Sequence, residues 1–402
     1  MERKNKVIKI GIGFFKVIGF FSMYSSQIEL VKPTGSYAVG TVSYHMVDKT
    51  RQEQRVHDVH HLYRELMVHV WYPAEITKKD KRVPYVSPYL SEFIQRKAEE
   101  KKGWFFGSGY RGTHVITHSY AHAVVSSQHN TYPVIIFSPG YGAPCHLYAS
   151  FLEELASYGF VIFGVNHTHT SDPVEFPDGR ITELAPNAFS FDETEIRYKD
   201  LCFLLNQIEQ INNQDIHGIL THRLNLHQIG AMGHSMGATA ALELCQKSEQ
   251  CKAVIALDGM LKSTFINSNA PVEPYNKPLM IMYNVEQGTF SKDDKYTPAY
   301  DLENILRVMK EKVGQLGQAS LKDVYEVQWK AHHMSFSDYF LITHLAENQE
   351  QELKNLEDIK LLMVNFFKIY LMNCSQEILI KQDQCSNKAF SLLYHKTHTR
   401  QV

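Results

Sequence analysis

Ser235 sits at the centre of Gly233-His234-Ser235-Met236-Gly237, between the apolar run 229–232 and the helix-forming stretch 238–244. A strand turning sharply into a helix is the natural reading, and in that context G-x-S-x-G is a nucleophile elbow. The turn forces the serine into a strained conformation that lifts its hydroxyl off the top of a sheet. The two glycines are expected because a Cβ at either position would strike the neighbouring strand or helix. A serine hydroxyl becomes a useful nucleophile only when a histidine takes its proton and an acid orients that histidine. Candidates for both follow. Segment 252–257 reads as a buried parallel strand ending in Asp258, and the carboxyl end of a strand is where an open α/β sheet places functional groups. Segment 324–329 alternates as a further strand and runs into His332 and His333. Alternatives stay open at this level. Asp258 before Gly259 is equally a turn or cap residue, and the chain has 21 histidines. His332 competes with His333, and Asp301 or Asp338 could replace Asp258.

Such a set works only if the elements carrying it bring their ends together. Segment 132–138 reads as the first core strand; helix 147–158 and strand 160–165 continue it as a βαβ unit. Segment 176–184 turns at Pro177-Asp178-Gly179, as a hairpin-like excursion would. Segment 193–211 has helical periodicity (Ile196, Leu201, Leu204, Leu205, Ile208), with Arg197 and Asp200 three apart on one face. A buried strand is expected at 277–285, a helix at 302–313 and a long amphipathic helix at 355–371 closing the sheet. The acid and base loops are expected to leave successive strands after the elbow. Residues 32–75 carry the first strands, and 76–131 form an insertion before the nucleophile half. The insertion's Trp104-Phe105-Phe106, beside Lys101 and Lys102, suits either a lipid surface or local packing.

Several further motifs carry a family resemblance. Pro33-Thr34-Gly35-Ser36-Tyr37, Val68-His69-Val70-Trp71-Tyr72-Pro73 and Phe137-Ser138-Pro139-Gly140-Tyr141-Gly142 resemble segments of the platelet-activating-factor acetylhydrolases, the plasma and intracellular type II enzymes and their bacterial relatives. So do the elbow, Ala256-Leu257-Asp258, His333-Met334-Ser335-Phe336-Ser337-Asp338 and Ser386-Asn387-Lys388-Ala389. The similarity runs in patches from about residue 32 to 393, and the 23 positions from Ser235 to Asp258 match the family's spacing. The resemblance implies an α/β-hydrolase fold: a mostly parallel central sheet, helices on both faces, and triad members in the chain order Ser, acid, His. It selects Ser235, Asp258 and His333 as the catalytic set. Oxyanion donors would be the backbone N–H groups of Met236, which follows the nucleophile, and of Tyr141, which the family match indicates. Pro139, lacking an N–H, cannot be a donor. Pro139, Met236 and Ala238 depart from the vertebrate pattern and bear on the acyl pocket.

The resemblance further implies a serine esterase that cleaves short or oxidised sn-2 acyl groups of phospholipids without calcium, metal or organic cofactor. A general carboxylesterase of the dienelactone-hydrolase or polyester-hydrolase kind is the alternative. A hydrolase fold kept as a non-catalytic binding module is a third reading, opposed by the intact triad. Composition agrees. The chain's 402 residues, 44% of them hydrophobic, can bury a large core as one domain over 32–402. A net charge of −2 gives no electrostatic case for nucleic acid as a partner. Residues 1–31 combine a basic start with an apolar stretch interrupted by Lys9 and Lys16, as a signal peptide or interfacial anchor would. Export or membrane association is therefore expected, with a cytoplasmic location as the alternative. Among six cysteines there is no C-x-x-C pair to argue for a metal. Cys202 and Cys245 read as buried thiols, and Cys374 and Cys385 as the best disulfide pair.

Overall fold

In the strand Tyr132–Ser138, Val134 and Ile136 enter one hydrophobic cluster and Ile135 and Phe137 another, and all four are fully buried. Side chains alternate across a strand, so a run that is apolar at every position must be covered on both faces. The computed structural model describes residues 28–53, 55, 60, 62–100, 115–186, 192–259, 274–284, 302–320, 322–343, 349–377, 379 and 390–395. Its strands are β1 (Ile28–Glu29), β2 (Ala38–Gln52), β3 (Tyr63–Glu75), β4 (Arg82–Pro84), β5 (Val115–Ala121), β6 (Val124–Val125), β7 (Tyr132–Ser138), β8 (Val161–His167), β9 (Val174–Glu175), β10 (Ile181–Thr182), β11 (Leu224–His234), β12 (Cys251–Leu257), β13 (Leu279–Asn284), β14 (Val324–Trp329) and β15 (Phe390–His395). The α-helices are α1 (Pro88–Glu99), α2 (Ala149–Ser157), α3 (Asp192–Asn213), α4 (Met236–Lys247), α5 (Leu302–Ala319), α6 (Tyr339–Thr343) and α7 (Gln349–Met372).

Thirteen of these strands make one sheet in the order β1-β5-β2-β3-β8-β7-β11-β12-β13-β14-β15, with β4 on β5 and β6 on β3. The six strands from β8 to β14 in that order are parallel. β3 is antiparallel to β8, and β15 to β14. Apolar residues of α3 and α4 cover one face, and those of α2 and α7 the other. This is the α/β-hydrolase architecture expected from the sequence. The chain moves outward from β7 to β8 and returns on the other side of β7 as β11. That reversal is a topological switch point, where open α/β sheets place their crevice.

Some expectations need correction. β13 lies between the acid and base strands, so the two loops do not leave successive strands. β15, for which no strand was expected, pairs with β14. The helix expected at 147–158 opens with a 3-10 turn, Cys145–Tyr148, before α2. Within the insertion, β5 pairs in parallel with β1 and β2. Cys245 is not a thiol: it is bonded to Cys251, tying the end of α4 to the start of β12. Cys374 is a free thiol, whereas Cys385, Asp301, the Trp104-Phe105-Phe106 cluster and residues 1–27 lie outside the described residues. No helix among the described residues is long and apolar enough to cross a membrane.

α2 buries acids as well as apolar groups. Glu153 is fully enclosed, accepting from Ser119 Oγ at 2.5 Å and His118 N at 2.9 Å. Burial pushes its carboxyl up to about 7 against an ordinary 4.5, despite those two hydrogen bonds. The folded state therefore holds this proton more tightly than the unfolded chain. Its contribution to stability is complete below the unfolded value and is lost as pH rises through about 7. Glu153→Gln, which cannot ionise, should gain stability relative to the parent between pH 5 and pH 8, read as a growing gap between urea midpoints.

Candidate active site

The elbow begins with strain. Ser235 follows β11 with φ 53° and ψ −123°, a conformation that costs a non-glycine residue of order 1–3 kcal/mol. It is held there from both sides. Its amide donates to Leu257 O on β12 at 2.9 Å, and its carbonyl accepts from Ala238 N at 3.0 Å as α4 starts. The side chain is partly exposed. The glycine expectation holds at both positions. A Cβ on Gly233 would stand 2.3 Å from Gly237 O, and one on Gly237 would stand 2.2 Å from Ser138 O and 2.3 Å from Pro139 O. β7 and α4 can thus approach one another only through glycine.

Asp258 follows β12 with a positive φ of 42°, its amide bonded to Met282 O at 2.7 Å. One carboxylate oxygen accepts from Asn284 N, at the end of β13, at 3.0 Å. The other stands 2.6 Å from His333 Nδ1. This geometry places the N–H on Nδ1 and leaves Nε2 as the nitrogen able to accept a proton. β13, the strand that separates acid from base, therefore serves to fix the acid. His332 is exposed, and its amide donates to Ser335 Oγ at 3.1 Å, inside the short turn that carries His333. Asp338 is fully buried, accepting from Ser150 N at 3.1 Å and clipping the base turn onto α2.

The expected oxyanion residues lie across the switch point. Met236 is the first residue of α4, where an amide has no acceptor within the helix. Tyr141 follows two peptides whose orientation is fixed. Arg197 Nη1 donates to Pro139 O at 2.6 Å; Ala143 N donates to Gly140 O at 3.2 Å, with Arg197 Nη2 at 3.5 Å. Gly140 O and Tyr141 N–H belong to one planar trans peptide and point in opposite directions. Holding the carbonyl toward Arg197 therefore aims the Tyr141 N–H away from it. The loop's other end is bound by Gly142 N to Thr170 O at 2.8 Å.

Sequence reasoning missed what lies beneath this loop. Arg197 is fully buried, stands 3.5 Å from Glu193, and does not pair with Asp200 as the shared helix face had suggested. Asp200 instead takes Arg64 on both oxygens, at 2.6 and 3.1 Å, and His167 Nδ1 at 2.8 Å. Burial alone would raise the Asp200 carboxyl, but the Arg64 guanidinium and the His167 hydrogen bond hold it well below the carboxylate range. His167 Nε2 in turn meets Ser138 Oγ at 2.9 Å. Ser138, His167 and Asp200 thus repeat the serine–histidine–acid connectivity, yet all three are sealed from solvent, and burial pushes His167 down to about 3. They brace the end of β7. The available signal was two charged residues, Arg197 and Asp200, inside the apolar periodicity of α3.

The chain is similar to several known proteins. Residues 22–201 match the family model for platelet-activating factor acetylhydrolase, isoform II. The resemblance read from the sequence is therefore shown over a span that contains the oxyanion loop and Arg197 and ends before the elbow. A probable 1-alkyl-2-acetylglycerophosphocholine esterase of Arthroderma benhamiae is 28% identical over 141 residues, 34% of this chain and 33% of that protein. The platelet-activating factor acetylhydrolase of Canis lupus familiaris is 25% identical over 157 residues, covering 32% and 35%. Cutinase est2 of Thermobifida alba is 30% identical over 130 residues, covering 32% and 35%. The chain matches about a third of the length of these relatives. Ferulic acid esterase from Streptomyces cinnamoneus shares the fold, with a TM-score of 0.68 at 23% identity over 92% of this chain and all of that one.

The contact between β7 and α4 yields a test. Gly237→Ala should destabilise the protein by about 3 kcal/mol, since backbone carbonyls and not a flexible side chain would have to move. Thermal denaturation measures this, and Gly314→Ala, whose Cβ would meet nothing within 4 Å at an ordinary backbone conformation, is the control without a clash.

Proposed function

We propose that this chain is a serine esterase acting on short or oxidised sn-2 acyl groups of phospholipids, without calcium, through an acyl-enzyme. The observation that carries the esterase reading is the 2.6 Å contact of His333 Nδ1 with Asp258, with the His333 ring 4.4 Å from that of His234, the residue before the strained Ser235. His333 Nε2 accepts the Ser235 proton as the hydroxyl attacks the ester carbonyl. Asp258 holds the ring tautomer and stabilises the imidazolium. The Met236 and Tyr141 amides receive the negative oxygen of the tetrahedral intermediate, each donor being worth ~3 kcal/mol to the transition state. The imidazolium protonates the leaving alcohol, and water activated by the same histidine releases the acid. Support for the lipid substrate comes from the family match over residues 22–201 and from the names of two relatives.

The second reading, a general carboxylesterase, is favoured by the cutinase relatives and by Met236, which departs from the vertebrate pattern at the acyl site. We place the protein at a membrane or outside the cell, because residues 1–31 have the composition of a signal or anchor. Fractionation of the full chain from its native cells tests that placement.

Turnover of p-nitrophenyl esters of increasing acyl length, followed by dispersed phospholipids with short and long sn-2 chains, tests the substrate. Short-chain phospholipids should be cleaved at a rate unaffected by a calcium chelator. Ser235→Ala should lower kcat by about 10⁴-fold or more. Cleavage of simple esters with no cleavage of phospholipids would move the assignment to the general carboxylesterase. No turnover of any ester by folded wild-type protein would remove the esterase reading.

A further inference from the structure

His234, the residue before the nucleophile, has so far had no role. It is buried at 1% exposure, and both of its ring nitrogens have partners. Nδ1 lies 2.8 Å from the Tyr148 hydroxyl, and Nε2 lies 3.0 Å from the backbone carbonyl of His333. Tyr148 is fully buried, and its hydroxyl oxygen also receives the Gly140 amide at 3.1 Å. The ends of this chain determine every direction within it. Gly140 N–H can only donate, so the Tyr148 oxygen accepts and its proton goes to His234 Nδ1. The His333 carbonyl can only accept, so His234 Nε2 carries the ring proton. Three hydrogen bonds then run the same way, from oxyanion loop to base turn, and they require His234 neutral with its proton on Nε2.

The rings give a second, independent observation. The His234 and His333 imidazoles lie tilted against one another, with centroids 4.4 Å apart and planes 36° apart. A charge on His234 would stand against the ring on which the proposed reaction develops its positive charge. Keeping His234 neutral is therefore compatible with the base becoming an imidazolium, and a doubly protonated His234 is not. The peptide just before the donor peptide is in this way held at both poles: Arg197 takes the Pro139 carbonyl, and Tyr148 takes the amide of the same Pro139–Gly140 peptide.

We propose that His234 is a positioning residue for the reaction: a neutral, Nε2-protonated imidazole that couples the oxyanion loop, through Tyr148, to the backbone of the base His333. This rests on the esterase reading, because what it positions is that reaction's donor loop and base. It differs from a packing role in what its loss should do. Substrate contacts stay in place, so KM should change little, while kcat falls because donor and base are no longer held in register.

The two halves of the relay can be removed separately. Tyr148→Phe removes the hydroxyl at nearly constant volume and leaves the bond to His333. His234→Asn keeps an acceptor near the Nδ1 position and loses the donor to His333, whereas His234→Gln keeps a donor near the Nε2 position. With a p-nitrophenyl ester, Tyr148→Phe and His234→Asn should each lower kcat about tenfold to a hundredfold, at a KM within about twofold of the parent. His234→Ala should fall below both, with His234→Gln recovering part of that loss. Phosphonylation of Ser235 by a fluorophosphonate should slow in the same order. Wild-type kcat in folded Tyr148→Phe and His234→Asn, beside an active parent, would overturn the relay and leave the esterase reading intact. A folded parent that neither turns over esters nor takes up the phosphonate would overturn the esterase reading instead. A measurement on the parent covers variants that fail to fold. The ¹⁵N imidazole signals of His234, assigned by their absence in His234→Gln, should report a neutral ring protonated at Nε2; protonation at Nδ1 would overturn the proposal.

Discussion

A peptide group cannot turn its N–H toward a substrate without turning its C=O the other way, and everything under the oxyanion loop answers that constraint. The Pro139 and Gly140 carbonyls face into the protein, where an unpartnered acceptor costs about 1–3 kcal/mol. Arg197 supplies donors for them from inside the core. A buried guanidinium needs counter-charge in turn, and Glu193 and Asp200 supply it from the same helix. Asp200 then needs Arg64 and Arg51, which draw β2 and β3 into one charged body with α3. Breaking any member of such a set leaves an uncompensated buried charge, so the network enforces one arrangement more than it adds net stability.

The elbow meets the opposite requirement. Its strain is local, and it is relieved by nothing polar beyond the ordinary strand and helix bonds. Backbone hydrogen bonds on both sides of Ser235, together with the two glycines that let β7 and α4 touch, are what over-determine it. The acid is fixed by the same means, with a positive φ and two main-chain bonds to β13. The proposed nucleophile and acid are thus set by backbone geometry. The proposed donor loop is set by buried charge, and the proposed base by a short turn pinned through Asp338 to α2.

That division explains what the sequence disclosed. Backbone devices leave local signatures: G-x-S-x-G between a strand and a helix, and an acid at the end of an apolar run. The layered sheet followed from periodicity in the same way. β15 was not foreseen, because an edge strand is specified by the neighbour it pairs with and not by its own pattern. The choice of His333 over its neighbour needed the family motif, since two adjacent histidines have the same composition and nearly the same spacing. The buried network stayed hidden for a related reason. Arg64, His167, Arg197 and Asp200 are spread across more than a hundred positions, and only the folded sheet brings them together. The Cys245–Cys251 bond, six residues apart, was read as a thiol because its helix looked apolar.

The order of the sheet has a consequence for how the protein is made. Ser235 leaves the ribosome 98 positions before His333, and chains fold as they are synthesised, from the N-terminus on. The half bearing the donor loop and its charged support can assemble around β7, β8 and α3 first. The serine then joins at β11 with no base to take its proton. Only after β13 has filled the gap and β14 has docked does the imidazole arrive. The nascent chain therefore carries Ser235 through 98 further positions without its proposed base, and the proposed triad closes only when β14 has joined the sheet.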